Sequence, residues 1–161
     1  MQNKENIKAG IDLREGIIYN TTMKRHQIVA DTNVLAHLFI QGEFSQTVEQ
    51  AYAKDTQWVA PVLWRSEFRN VLIKCMGKHH LDLDEAVQIM QTAELFMHGN
   101  EYGIPSLDVL RLASLGRCTA YDAEYVVLAR ALGVKFVTSD AALLKAFPDT
   151  AVSPGRFLAG R

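Results

Sequence analysis

The stretch Gln27-Ile28-Val29-Ala30-Asp31-Thr32-Asn33-Val34-Leu35 constrains the fold more than any other, because an unbroken apolar run ends abruptly in an acid and two small polar residues. Ile28, Val29 and Ala30 show no polar alternation, so both faces of the run need cover. That reads as a buried strand of a parallel sheet with helices on either side. Ligands of open parallel sheets bind just beyond the carboxyl ends of the strands, and Asp31 stands at such an end. Asp31 is equally a good N-cap for a helix beginning near Thr32. Both readings are open from this stretch alone.

A chain of 161 residues has room for one domain with a sizeable core. Its formal charge of -1 argues against holding nucleic acid by bulk charge, leaving only a local basic patch for that purpose. Cys75 and Cys118 form neither a CxxC nor a Cys/His spacing, so a reducing, cytoplasmic setting is expected. No apolar run approaches the roughly 18 residues that a membrane span needs, and no apolar signal-peptide core is present. Residues 1–22 read as a leader or N-terminal arm, with Gly16-Ile17-Ile18-Tyr19 able to add an edge strand, and residues 23–161 as the domain. Lys24, Arg25 and His26 could touch phosphate or simply be solvated.

Along the domain the expected order is strand, helices, strand, helix, which favours an α/β layered fold. Thr32 to Ile40 and Glu43 to Lys54 read as helices, and Trp58-Val59-Ala60 as a second strand, with Pro61 in the first turn of a helix reaching Met76. In that helix Leu63, Glu67 and Val71 share one stripe, so Glu67 interrupts an apolar face or sits at its edge. Arg65 and Arg69, with Lys74 and Lys78, add a basic side that could meet phosphate. His37 and the pair His79-His80 have no partner at a metal-ligand spacing. Asp82 caps a helix whose Met90 and Met97 are core filler. Glu101 to Pro105 is extended, Leu107 to Leu115 is helical and closed by Gly116, and Arg111 and Arg117 flank it.

The last third repeats the pattern of the first. Thr119 and Asp122 approach a capping box at the start of a helix ending at Gly133, yet Asp122 also lies at the end of a stripe with Val126 and Ala129. Val134 to Asp140 is a strand with a polar end, so Asp140 stands as Asp31 does, either a cap or a site residue. Thr150-Ala151-Val152 is a final short strand before a Pro/Gly-containing tail.

Taken together, two acids end parallel strands and two lie on helices turned toward the sheet. Four converging carboxylates repel one another unless a cation joins them. An all-oxygen donor set suits Mg²⁺ or Mn²⁺, which keep waters and accept phosphate oxygens, and such ions support hydrolysis at phosphorus.

The segments Val29-Ala30-Asp31-Thr32-Asn33-Val34, Glu67 with Asn70-Val71-Leu72, Tyr121-Asp122-Ala123 through Leu128-Ala129, and Val137-Thr138-Ser139-Asp140 together resemble the PIN-domain ribonucleases, in particular the VapC-type toxins of bacterial toxin–antitoxin pairs. The resemblance spans His26 to about Val152. It implies a three-layer α/β/α fold with a twisted, mainly parallel central sheet and acids at its C-terminal edge. It also implies that Asp31, Glu67, Asp122 and Asp140 are the catalytic and metal-binding quartet, supported by Asn33 and by Thr138 or Ser139. The implied activity is metal-dependent endonucleolytic cleavage of RNA. The implied partners are RNA, an antitoxin that blocks the site and a second copy of the chain. Asp31 and Asp140 are expected to hold the principal ion, and Arg65 and Arg69 are candidate RNA contacts. With no His pair or Lys placed to activate a ribose 2′-hydroxyl, water is the expected nucleophile and 5′-phosphate the expected end. Two other classes compete: a stand-alone RNA-processing or purely RNA-binding module, and a phosphatase acting on small phosphoesters. Against the phosphatase stands the absence of a DxDx[TV] motif and of a Gly-rich phosphate loop.

Overall fold

The computed structural model describes residues 28–78 and 81–160. The readings given above for residues 1–22, for Lys24, Arg25 and His26, and for His79-His80 lie outside the described residues.

Five short strands form one sheet: β1 (Ile28–Ala30), β2 (Trp58–Pro61), β3 (Glu101–Tyr102), β4 (Lys135–Val137) and β5 (Ala151–Val152). Their order across the sheet is β3-β2-β1-β4-β5, and every neighbouring pair is parallel. The helices between them are α1 (Thr32–Ala36), α2 (Ser45–Lys54), α3 (Trp64–Gly77), α4 (Leu83–Phe96), α5 (Ser106–Ala113), α6 (Ala120–Leu132) and α7 (Ala141–Ala146), with α8 (Pro154–Leu158) closing the chain. The expected α/β architecture is therefore the observed one. All three residues of β1 are fully buried, as their unbroken apolar character requires. The sheet grows from β1 toward β3 and then from β4 to β5, so the strand order reverses between β1 and β4. That reversal is the topological switch point at which such sheets open a crevice beyond their carboxyl ends.

Several boundaries differ from those the sequence suggests. Pro61 does not open a helix but ends β2, where the bonds to β3 come from the Ala60 and Val62 N–H groups on either side of it, so its missing N–H breaks neither; the chain then turns through Val62 and Leu63 before α3 starts at Trp64. Helix α1 stops at Ala36, and residues 37–40 continue as turns with Phe39 against Phe68 and Phe96. The Pro/Gly tail is helical, because Ser153 accepts from the Arg156 N–H at 3.3 Å and Pro154 occupies the first helical position, where proline fits. Lys54 then ties α8 to α2, donating to the carbonyls of Phe157 at 2.7 Å and Leu158 at 3.1 Å. The Asp82 cap is present, closed into a capping box by Glu85.

Arg65 has a different occupation from the one expected. Its Nε and Nη2 donate to the two carboxylate oxygens of Glu101 at 2.6 and 2.8 Å, its Nη1 donates to Glu94 at 2.7 Å, and Trp64 Nε1 joins at Glu101 Oε1 at 2.6 Å. The guanidinium thus pins α3 to α4 and to β3, with both carboxylates neutralising it, and it is not the free phosphate contact the sequence suggests. Its hydrogen bonds to Glu101, ahead of its charge, hold that carboxyl below the usual glutamate range. This contribution is present above the unfolded pKa and fades as pH falls through the folded one. Replacing Arg65 with Met is expected to destabilise the protein at pH 7 by about 1–3 kcal/mol, a difference that denaturant melts should show shrinking below about pH 4.5.

Candidate active site

Three of the four acids stand near one another at the switch point, where the charges of Glu67 and Asp140 act on Asp31, and Asp31 and Asp140 are placed by local backbone chemistry. The Asp31 N–H donates to the Val137 carbonyl at 2.9 Å, extending the pairing of β1 with β4 by one residue. Its backbone is still extended, so the side chain turns back as the N-cap of α1, where Oδ1 accepts from the Asn33 N–H at 3.3 Å. Oδ2 accepts from the Thr138 hydroxyl at 2.5 Å, and the same hydroxyl accepts from the Asp140 N–H at 3.0 Å. One hydroxyl therefore fastens the ends of two strands together. Of the two residues offered by the sequence, Thr138 is this link: it is fully buried, whereas Ser139 is exposed. Asp140 caps α7, with Oδ1 accepting from Ala142 N at 2.7 Å and Leu143 N at 3.1 Å. For Asp31 and Asp140, capping and site geometry coexist in the same carboxylate.

Glu67 reaches the site from α3. Its Oε2 accepts from the Thr32 hydroxyl at 2.8 Å and from the Tyr125 hydroxyl, and those two hydroxyls are themselves 2.6 Å apart. Tyr125 is buried on α6 and stacks on Phe136 of β4. Burial, together with the Glu67 charge beside it, pushes its phenol far above the ordinary range, so it remains a donor. Neither Thr32 nor Tyr125 stands out in the sequence. Only the position of Thr32 directly after Asp31, and a polar tip on the buried stripe of α6, hint at them.

Asp122 neither lines the cavity beside Asp31 nor is among the charges that act on that carboxyl. Its Oδ2 accepts from Thr119 N at 3.1 Å and Thr119 Oγ1 at 2.7 Å, which completes the capping box of α6. Glu124, two residues on, is half-buried, and burial first and then the Glu67 charge raise its pKa. It is an acid that the sequence pattern does not single out. Arg69 is exposed on α3.

A cavity of about 230 Å³ opens onto Asp31, lined also by Thr32, Asn33, Glu67, Asn70, Val71 and Lys74. Asp31 is 8% exposed. Burial is the main cause that pushes its carboxyl from 3.8 up to about 6; the bonds from Thr138 and Asn33 oppose the shift, while the charges of Glu67 and Asp140 add to it. Among the described residues no three acidic, histidine or cysteine side chains close into a ready-made metal cage. The donor set that faces the cavity is nonetheless all oxygen and amide, and its buried carboxylate needs a positive partner at neutral pH. That fits a hard divalent cation which keeps much of its water.

The PIN domain family model matches residues 28–148. The curated protein Ribonuclease VapC3 of Pyrobaculum aerophilum is 30% identical over 125 residues, covering 76% of this chain and 95% of its own length. The chain belongs to the PIN domain family. Among solved structures, that of PAE2754 from Pyrobaculum aerophilum superimposes with a TM-score of 0.68 at 20% identity, over 89% of this chain and 96% of the other. A chain of a toxin-antitoxin complex from Klebsiella pneumoniae reaches 0.53 at 19% identity, over 80% and 98% respectively. These two likenesses share the fold.

Two outcomes follow from the geometry. Between pH 3.8 and about 6 the folded protein holds at Asp31 a proton that the unfolded chain has released, so stability falls as pH rises through that window. With a chelator present, the Asp31→Asn variant is expected to melt above the parent at pH 7.5 and to lose this slope, a difference of up to about 3 kcal/mol. Tyr125→Phe keeps the stacked ring but removes a donor from Glu67, and denaturant titration should show a loss of about 1–2 kcal/mol.

Proposed function

We propose that the protein is a Mg²⁺- or Mn²⁺-dependent endoribonuclease, the toxin of a toxin–antitoxin pair, that hydrolyses RNA phosphodiesters. The observation that carries this reading is the buried Asp31 carboxylate, felt by Glu67 and Asp140 and facing a polar cavity at the sheet's switch point. The similarity to Ribonuclease VapC3 supports RNA as the substrate class.

Asp31 and Asp140 would hold the ion, with Glu67 and Asp122 completing its surroundings directly or through water. When bound, the ion supplies Lewis acidity toward the phosphate and an acidified water. The rest falls to this chain. Thr138 keeps Asp31 aimed into the cavity and sets its distance from Asp140 by bonding both. Thr32 and Tyr125 fix one oxygen of Glu67, which leaves Oε1 to face the site. Asp122 uses only Oδ2 in its capping box, so Oδ1 is left to reach outward. Asn33 stands exposed at the cavity wall as an amide that can orient water or a phosphate oxygen.

The likeness to a chain of a toxin-antitoxin complex supports a protein partner, as do Ile73, Leu83, Val87 and Leu95, apolar side chains left in water on α3 and α4. Leu107, Leu110 and Leu115, exposed on and after α5, support a homodimer, for which light scattering should give twice the chain's mass. None of the described helices is long and apolar enough to cross a membrane.

Incubating the purified protein with total RNA and Mg²⁺ or Mn²⁺ should create discrete new 5′-phosphate, 3′-hydroxyl ends. Asp31→Asn should lower their rate of appearance by at least about 100-fold, and a chelator should abolish them. Cyclic-phosphate ends would exclude water as the nucleophile, and the absence of new ends would exclude the ribonuclease. Independently of cleavage, Mg²⁺ at about 100 times its Kd should raise the melting temperature by roughly 5–10 °C. Asp31→Asn should remove most of that rise.

A further inference from the structure

An anionic substrate entering an acid-lined cavity meets repulsion from Asp31, Glu67 and Asp140, so positive charge at the rim is what admits it. Several cations of the chain can be set aside. Arg65 is neutralised by Glu94 and Glu101. Lys54 is held by the carbonyls of α8, and Lys135 donates to Asp149 O at 2.7 Å at the far, N-terminal edge of the sheet.

Lys74 differs from all of these. Glu67, Asn70, Val71 and Lys74 follow one another at spacings of three, one and three, which places them on a single face of α3. All four line the cavity that Asp31 opens onto, and Lys74 is the cation among its lining residues. The side chain is exposed, and among the described residues its ammonium makes no ion pair. Seven residues separate it from Glu67, so it stands roughly 10 Å further along the helix axis, beside the acids rather than among them.

We propose that Lys74 binds a backbone phosphate of the RNA next to the one being cleaved, and so positions the strand across the acids. The inference rests on the ribonuclease reading above. Because that phosphate carries the same charge throughout the reaction, Lys74 contributes to binding and little to the chemical step. A flexible ammonium is suited to a point contact with phosphate that does not depend on base identity.

The test uses the full chain and a single-stranded RNA oligonucleotide bearing a mapped cleavage site. Lys74→Gln is expected to raise KM about tenfold with kcat within about twofold, while Lys74→Arg keeps most of the affinity. In the cleavage-blocked Asp31→Asn background, Lys74→Gln should lower the slope of log affinity against log salt by about 0.7, the share of one phosphate on a single strand. Lys135→Gln, the same loss of charge at the opposite edge, should do neither. Because Lys74 is exposed, its Gln variant should melt with the parent. If the parent cleaves while Lys74→Gln keeps the parental KM and slope, or loses only kcat, the Lys74 contact is overturned and the ribonuclease reading stands. If the parent neither binds nor cleaves RNA, the ribonuclease reading fails first and the contact falls with it.

Discussion

The carboxylate of Asp31, buried at the junction of β1 and β4, is the constraint to which the rest of the site answers. Burial pushes it toward the neutral acid, and the neighbouring charges of Glu67 and Asp140 push the same way. Two hydrogen bonds, from Thr138 and Asn33, resist the shift without cancelling it. The remainder is an unfavourable interaction held in place by a sheet too well packed to move: Ile28, Val29, Ala30, Phe136 and Val137 are fully buried around it. A fold that keeps such a group loses stability at neutral pH when no cation is present. Such a loss persists where the strain belongs to the function.

Three of the acids share a positional logic. Asp31, Asp140 and Asp122 each sit at the start of a helix, the first two as N-caps and the third inside a capping box. A capping carboxylate has one oxygen tied to backbone N–H groups and the other turned away from the helix, so capping fixes its direction without using it up. Cap and site are rivals for each acid taken singly in the sequence; in the structure Asp31 and Asp140 are both N-caps, and the Asp140 charge acts on Asp31. Glu67 sits within a helix instead, and two hydroxyls from other elements, Thr32 and Tyr125, do for it what backbone N–H groups do for the caps.

What the sequence reveals and what it hides follow from the range of the interactions concerned. Strands β1 and β4, the Asp82 and Thr119 caps and the left-handed Gly133 are local, governed by residues within a few positions, and the sequence displays them. The bonds of Tyr125 to Glu67, 58 positions apart, and of Thr138 to Asp31, 107 apart, depend on which strand lies beside which. No periodicity encodes that order. The tail helix fails for a nearer reason: Ser153-Pro154 is a sound helix start, but five residues are too few to stand alone, and α8 depends on its packing against α2.

Helix α3 shows how one element can carry two electrostatic tasks without mixing them. Arg65 and Glu67 are two residues apart, a separation that turns them toward opposite sides of the helix. On one side the Arg65 charge is cancelled by Glu94 and Glu101, and it fastens α3 to α4 and β3. On the other side Glu67 faces the cavity and Asp31. Had the guanidinium faced that cavity it would have paired with the acids itself. Glu67 and the guanidinium are kept on separate faces, so Arg65 neutralises neither Glu67 nor Asp31, and the cation on the Glu67 face, Lys74, stands roughly 10 Å further along the helix.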